Sequence, residues 1–157
     1  IEQLLKANKI DLIRARAAIL GQGRVRAGDE TLGCKSILIA SGSKPALQHT
    51  PGIEFALTSD RLLDEARHSP RLVIIGGGAI GCESGYFFAS ACGAQVQILE
   101  MRDAMCKDSY PSQRAALLPR MDKAGMILDC SVTTKEITDK GVKFLDKDGK
   151  EQFAEAD

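Results

Sequence analysis

The sequence predicts an α/β fold in which a parallel sheet is flanked by helices and followed by an antiparallel β-meander. Three observations carry that expectation. The run Leu72-Val73-Ile74-Ile75 is apolar without a break, as suits a parallel strand covered on both faces. It leads straight into Gly76-Gly77-Gly78-Ala79-Ile80-Gly81, a glycine-rich turn with an apolar helix behind it. The C-terminal stretch then places Val132 to Ile137, Val142 to Leu145 and Lys150 to Ala154 between turn sequences, the mark of short antiparallel strands.

Each glycine of the turn has its own task. Gly76, Gly78 and Gly81 fill a G-x-G-x-x-G pattern. Gly76 permits a tight turn, Gly78 lets backbone approach a pyrophosphate, and Gly81 lets the helix sit close on the strand. The helix end offers unpaired N–H groups and a partial positive charge to phosphates. The pattern alone is weak, so its flanks decide. The helix is expected from Ile80 to about Cys92, with Gly81, Gly85 and Ala89 forming a small-residue face every fourth residue. Gly93 is its expected C-terminal cap. A second strand, Val96-Gln97-Ile98-Leu99, ends in Glu100, about twenty residues after the turn, where an acid can hold the adenosine ribose hydroxyls. Strand, glycines, helix, strand and acid in this order predict a Rossmann-like, three-layer nucleotide-binding domain rather than an empty βα turn.

The 157 residues suffice for a domain with a real core, and 44% apolar against 27% charged content is that of a globular chain. With 21 basic and 21 acidic residues the formal net charge is zero, which gives no support for nucleic acid or an anionic membrane as a partner. No apolar run is long enough to span a bilayer, and no secretory leader is visible from Ile1 onward. The cysteines Cys34, Cys82, Cys92, Cys106 and Cys130 make no C-x-x-C pair and have no histidine at ligand spacing. Neither a zinc site nor a local redox pair is therefore expected, and no metal site at all. Their scatter and odd number favour reduced thiols in a cytoplasmic setting. Cys82 falls near a helix N-terminus, which can lower a thiol pKa, but its expected role is small buried filler.

Along the chain, Ile1 to Asn8 reads as the end of a helix, and part of Ile10 to Leu20 as a strand. Arg24-Val25-Arg26 and Thr31 to Cys34, with a turn at Ala27-Gly28-Asp29, predict a short meander. Ser36 to Ala40 reads as a buried strand ending in Ser41-Gly42-Ser43-Lys44-Pro45. Pro51-Gly52 marks a turn, and Thr58-Ser59-Asp60 opens a short helix through about Arg67, capped by Ser59 or Asp60. His49 and His68 are expected in loops. Arg71 begins what reads as the central strand. After a loop from Met101 to Pro111, Ser112 to Ala124 predicts a helix stopped by Gly125, with a kink or late restart at Pro119. Met126-Ile127-Leu128 reads as a third parallel strand. The turn Asp146-Lys147-Asp148-Gly149 hints at a calcium loop but lacks the remaining ligands, so a plain turn is expected.

A weak internal repeat joins these pieces. Ile10 to Gly42 reads strand, meander, buried strand and Ser-Gly turn, whereas Met126 to Asp157 reads strand and meander and then stops. The chain is therefore expected to be a piece of a longer protein. Residues 1–70 would be part of one nucleotide domain with a connection, and residues 71–157 a second domain lacking its last strand.

Three stretches carry a family resemblance: Ile37 to Pro45, Thr58-Ser59-Asp60 with Leu62-Leu63, and Ile74 to Glu83 with Glu100. In this order and spacing they resemble the FAD-dependent pyridine nucleotide-disulfide oxidoreductases, most of all the dihydrolipoamide dehydrogenase branch. The resemblance implies that Gly76, Gly77, Gly78, Ala79, Ile80 and Gly81 hold the pyrophosphate of NAD and that Glu100 binds its adenosine ribose. It implies that Val132 lines the adenine side and that Glu83 faces the nicotinamide and flavin; Glu83 also has the simpler reading of an acid complementing the helix dipole. Ser41, Gly42 and Ser43 would lie beside FAD in the intact parent. The family's FAD phosphate motif, its C-x-x-x-x-C pair and its C-terminal His-Glu pair are absent from this sequence. The fragment alone is thus expected to be inactive, with no catalytic residue of its own. The resemblance gives it NAD(H) as ligand, the missing FAD and dimerisation domains as partners, and a homodimeric parent passing hydride between NAD(H) and flavin. The same scaffold with another acceptor (mercuric ion, coenzyme A disulfide, quinone or NADP) and a non-catalytic NAD-responsive module are the alternatives.

Overall fold

In the computed structural model, which describes residues 1–47, 49–64 and 69–157, the chain divides into two units, Ile1–Lys44 and Pro45–Asp157. The first holds a short helix α1 (Glu2–Ala7) and a meander of β1 (Ala17–Gly21), β2 (Arg24–Ala27) and β3 (Glu30–Gly33) in spatial order β1-β2-β3. The register pairs Ile19 with Val25 and Val25 with Leu32, so one face of the ribbon is aliphatic. The expected strand over Ser36 to Ala40 does not form, and Leu38 and Ile39 are 91% and 71% exposed. The reason is the lack of a ladder: this unit's sheet ends at β3, and an apolar run becomes a buried strand only when a neighbour satisfies its N–H and C=O groups.

In the second unit a 3-10 turn (Ile53–Phe55) follows Pro51-Gly52, and α2 (Ser59–Asp64) opens where the Thr58-Ser59-Asp60 signal lies. The continuation of that helix to Arg67, and His68, lie outside the described residues, while His49 is an exposed loop residue. The parallel sheet consists of β4 (Arg71–Ile75), β5 (Gln95–Glu100) and β6 (Ile127–Cys130) in the order β4-β5-β6, with Ile74 opposite Ile98 and Ile98 opposite Leu128. Helices α3 (Ala79–Ala91) and α4 (Pro111–Lys123) connect these strands. A meander of β7 (Thr133–Thr138), β8 (Gly141–Leu145) and β9 (Glu151–Glu155) completes the unit.

The period-two alternation of the sheet sorts its side chains into two cores. Leu72, Ile74, Val96, Ile98 and Leu128 pack on the helix side with Cys82, Phe88 and Met121. Val73 and Leu99 face the other way, onto Val132, Ile137, Val142, Phe144 and Ala154 of the meander side. The result is three layers: helices, parallel sheet, meander. Ile98 is wholly buried, which is worth about 1.5–3 kcal/mol. The small-residue face of α3 forms as expected, since a Cβ at Gly85 would come within 2.8 Å of Met126 Cε and 3.1 Å of Ile74 Cδ1.

Two further expectations need correction. Among the described residues β4 is an edge strand and β5 the middle one. Accordingly β4 is only half-buried, while Val96, Ile98, Leu99 and Glu100 of β5 are buried. Of the kink or late restart expected at Pro119, the restart does not occur: helix α4 runs through that residue. Its missing N–H removes one intrahelical bond, that to the carbonyl of Ala115, and the turns on either side hold the helix together. At the Asp146 turn the carboxylate accepts from the N–H groups of Asp148 (3.0 Å) and Lys150 (2.9 Å) and from Gln152 Nε2 (3.0 Å). Its oxygens thus serve the hairpin itself. At the start of β4, the Arg71 guanidinium pairs with Glu155 and Asp157 and so ties the meander to the sheet edge.

Candidate functional site

The chain turns sharply out of β4 at Gly76, whose φ of +112° lies in the region that side chains disfavour. Its N–H still donates to the Leu99 carbonyl (2.9 Å), so the turn begins while the backbone remains paired with β5. Gly78 is the N-cap of α3. By helix geometry the N–H groups of Ala79, Ile80 and Gly81 have no acceptor within the helix and point outward from its positive end. A Cβ at Gly81 would stand less than 3.0 Å from the Gly76 carbonyl oxygen and 3.3 Å from Ile74 Cγ2. Only glycine allows the helix to lie this close to the strand end.

Glu100, at the C-terminal end of β5, is 3% exposed and reaches under the turn. Its Oε2 accepts from the Gly77 N–H (2.6 Å), and its Oε1 from the backbone N–H (2.7 Å) and Nε (3.2 Å) of Arg102. Burial alone would push this carboxyl up, but the donors of Arg102 and Gly77 and the Arg102 charge outweigh it and hold the group below its ordinary range. Val132 lies beside it: its N–H donates to the Glu100 carbonyl (3.1 Å), and its side chain is buried in the meander-side core. Glu83 stands on α3 beyond the first turn and is exposed; the first turn itself carries no acid. Ile80 is 70% exposed at the same end of the helix. The fold thus brings Gly76 to Gly81, Glu100 and Val132 together at the C-terminal edge of the sheet. Ser41, Gly42 and Ser43 belong to the other unit and are exposed.

The loop after β5 closes over the turn, which sequence reasoning missed. Cys106 donates its N–H to the Gly77 carbonyl (2.7 Å), and Asp108 Oδ1 accepts from the Ala79 N–H (3.2 Å). Arg114 Nε anchors the loop through the Met105 carbonyl (2.8 Å). No periodicity or motif in residues 101–110 signals these contacts. Cys82 proves to be buried filler. Its thiol donates to the Gly77 carbonyl (3.3 Å), and burial, followed by the Cys106 thiol beside it, pushes its pKa up to about 12. Desolvation therefore overrides the pull of the helix N-terminus.

A glycine turn at a helix N-terminus, with a buried acid ending the next strand, defines the strand–helix–strand unit of a Rossmann-like α/β fold. The family model for pyridine nucleotide-disulphide oxidoreductases matches residues 1–157, and the chain belongs to that family. A mercuric reductase from Staphylococcus aureus is 28% identical over 159 residues, covering 98% of this chain and 29% of its own length. A dihydrolipoyl dehydrogenase from Acholeplasma laidlawii is 31% identical over 160 residues, covering 98% of this chain and 47% of its own. Among solved structures, an HOCl-induced flavoprotein disulfide reductase from Escherichia coli, as its Cu(II) complex, matches with a TM-score of 0.72 at 21% identity, over 98% of this chain and 36% of its own; that likeness concerns the fold. The chain spans less than half the length of each of these three proteins.

Proposed function

We propose that this chain is the NAD(H)-binding portion of an FAD-dependent disulfide oxidoreductase, of the dihydrolipoamide dehydrogenase kind, that passes hydride between NAD(H) and flavin. The observation that carries the reading is the Gly81–Gly76 approach beneath the N-terminus of α3, a helix-to-strand contact that a single Cβ would break. In this reading Gly76 to Gly81 and the end of α3 hold the pyrophosphate, Glu100 takes the adenosine ribose hydroxyls, Val132 lies on the adenine side, and Glu83 faces the nicotinamide. The nicotinamide supplies or accepts the hydride when bound; the residues here bind and orient it. Residues 71–157 serve as the NAD domain, and residues 1–70, with Ser41 to Ser43 beside the flavin, belong to the FAD side of the parent. We place the parent in the cytoplasm as a homodimer, and the fragment by itself does no turnover.

Glu100 also sets the choice of dinucleotide. It is a carboxylate kept ionised by its donors, and a 2′-phosphate would meet that charge. The nearest cation, Arg102, is already turned onto Glu100 Oε1. Calorimetric titration of the 157-residue chain is expected to give a Kd for NADH about tenfold below that for NADPH, the ratio that ~1.4 kcal/mol of repulsion yields. NADPH binding as tightly as NADH would overturn the assignment.

A further inference from the structure

We propose that Asp108 is a built-in competitor for the dinucleotide: its carboxylate occupies the phosphate end of α3, and a pyrophosphate binds only by displacing it. The inference rests on the dinucleotide reading above and adds a control of affinity to it. Asp108 Oδ1 accepts from the N–H of Ala79, the first residue of the helix. Its Oδ2 lies where a Cβ at Gly78 would be 2.9 Å away, directly over the turn. This is the ground a phosphate would take, and two anions cannot share one helix end without repulsion.

The loop holds the carboxylate there by design of its backbone. Cys106, at a φ of +54°, turns the chain back so that its N–H reaches the Gly77 carbonyl, and Met105 and Cys106 are buried as anchors. Asp108 itself is about half exposed, with the Arg102 guanidinium 4.0 Å from Oδ1 as its neighbouring cation. A solvated carboxylate with a cation at hand can leave the helix end while Met105 and Cys106 keep their places. The segment thus acts as a strap whose tip, not its base, must yield.

The test is calorimetric titration of NADH into the full chain and into Asp108→Asn, Asp108→Ala and Asp103→Asn variants. Asp108→Ala is expected to lower the Kd about three- to tenfold, the range covered by a capping bond and a charge at a helix end. Asp108→Asn, which keeps an acceptor for Ala79 but removes the charge, should fall between. Asp103→Asn, which removes a loop carboxylate paired with Lys107, should leave the Kd unchanged. An unchanged or weaker affinity in Asp108→Ala overturns the proposal, as does an equal gain in Asp103→Asn, which would mark a diffuse charge effect. Hydrogen exchange at the Ala79 amide in ligand-free protein separates the two failures. Faster exchange in Asp108→Ala with no NADH binding by any variant shows that the contact exists and that the dinucleotide reading itself is wrong, and the competitor falls with it.

Discussion

Gly81→Ala is expected to abolish NADH binding and to destabilise the second unit by about 2–3 kcal/mol. Alanine is the better helix former, and at an open helical position the change would gain up to about 1 kcal/mol. Here the added methyl meets the Gly76 carbonyl at less than 3.0 Å, with Ile74 Cγ2 3.3 Å away. The carbonyl cannot swing aside freely, because the Gly76 N–H is bonded to Leu99 and Gly77 to both Glu100 and Cys106. The helix end must therefore lift off the strand, and the N–H groups proposed to hold the pyrophosphate move with it. Gly93→Ala provides the contrast. Its φ of +71° makes alanine strained, but nothing lies within 4 Å of the new methyl, so only the backbone cost of about 1 kcal/mol applies and binding is retained. Chemical denaturation with NADH titration checks both; wild-type stability and affinity in Gly81→Ala would contradict the packing argument.

Glu100→Ala is expected to cost about 2–3 kcal/mol at neutral pH and to weaken NADH about tenfold. The side chain is the acceptor for the buried Gly77 N–H and for two donors of Arg102, and its loss leaves Gly77 without a partner in a dry site. The cost has a defined pH signature. Because the folded carboxyl sits below its ordinary range, the stabilisation is complete above that range and is lost as the pH falls through the lowered value. The stability gap between wild type and Glu100→Ala should thus be full at about pH 7 and shrink on acidification below about pH 4, the ordinary range of the group. Denaturant midpoints across that window report it; a gap that widens on acidification would mean that the carboxyl is held protonated, not ionised.

Much of the second unit was legible because its signals are local. An apolar run, three glycines at fixed spacing, a small-residue helix face and an acid ending the next strand each specify their own backbone, and α3, β5 and the meander formed within a residue or two of expectation. What failed depended on partners. Among the described residues, Ser36 to Ala40 has the composition of a buried strand but no neighbour, and β4 has the composition of a central strand but pairs on one side only. The site was half legible for the same reason. That Glu100 lies near the turn follows from its strand; that its oxygens are taken up by Gly77 and Arg102 does not. The reach of Asp108 to Ala79 across 29 residues rests on a positive φ at Cys106 and on burial of Met105, neither of which leaves a pattern in the sequence.

The central claim, that the turn from Gly76 to Gly81 receives a dinucleotide pyrophosphate, is tested most directly by amide NMR of the isotope-labelled chain titrated with NADH. The account predicts saturable shifts concentrated at Gly76 to Gly81, Arg102, Asp108 and Val132, with Ser36 to Ser43 unmoved. Shifts that do not saturate, or that cluster away from the N-terminus of α3, would contradict it.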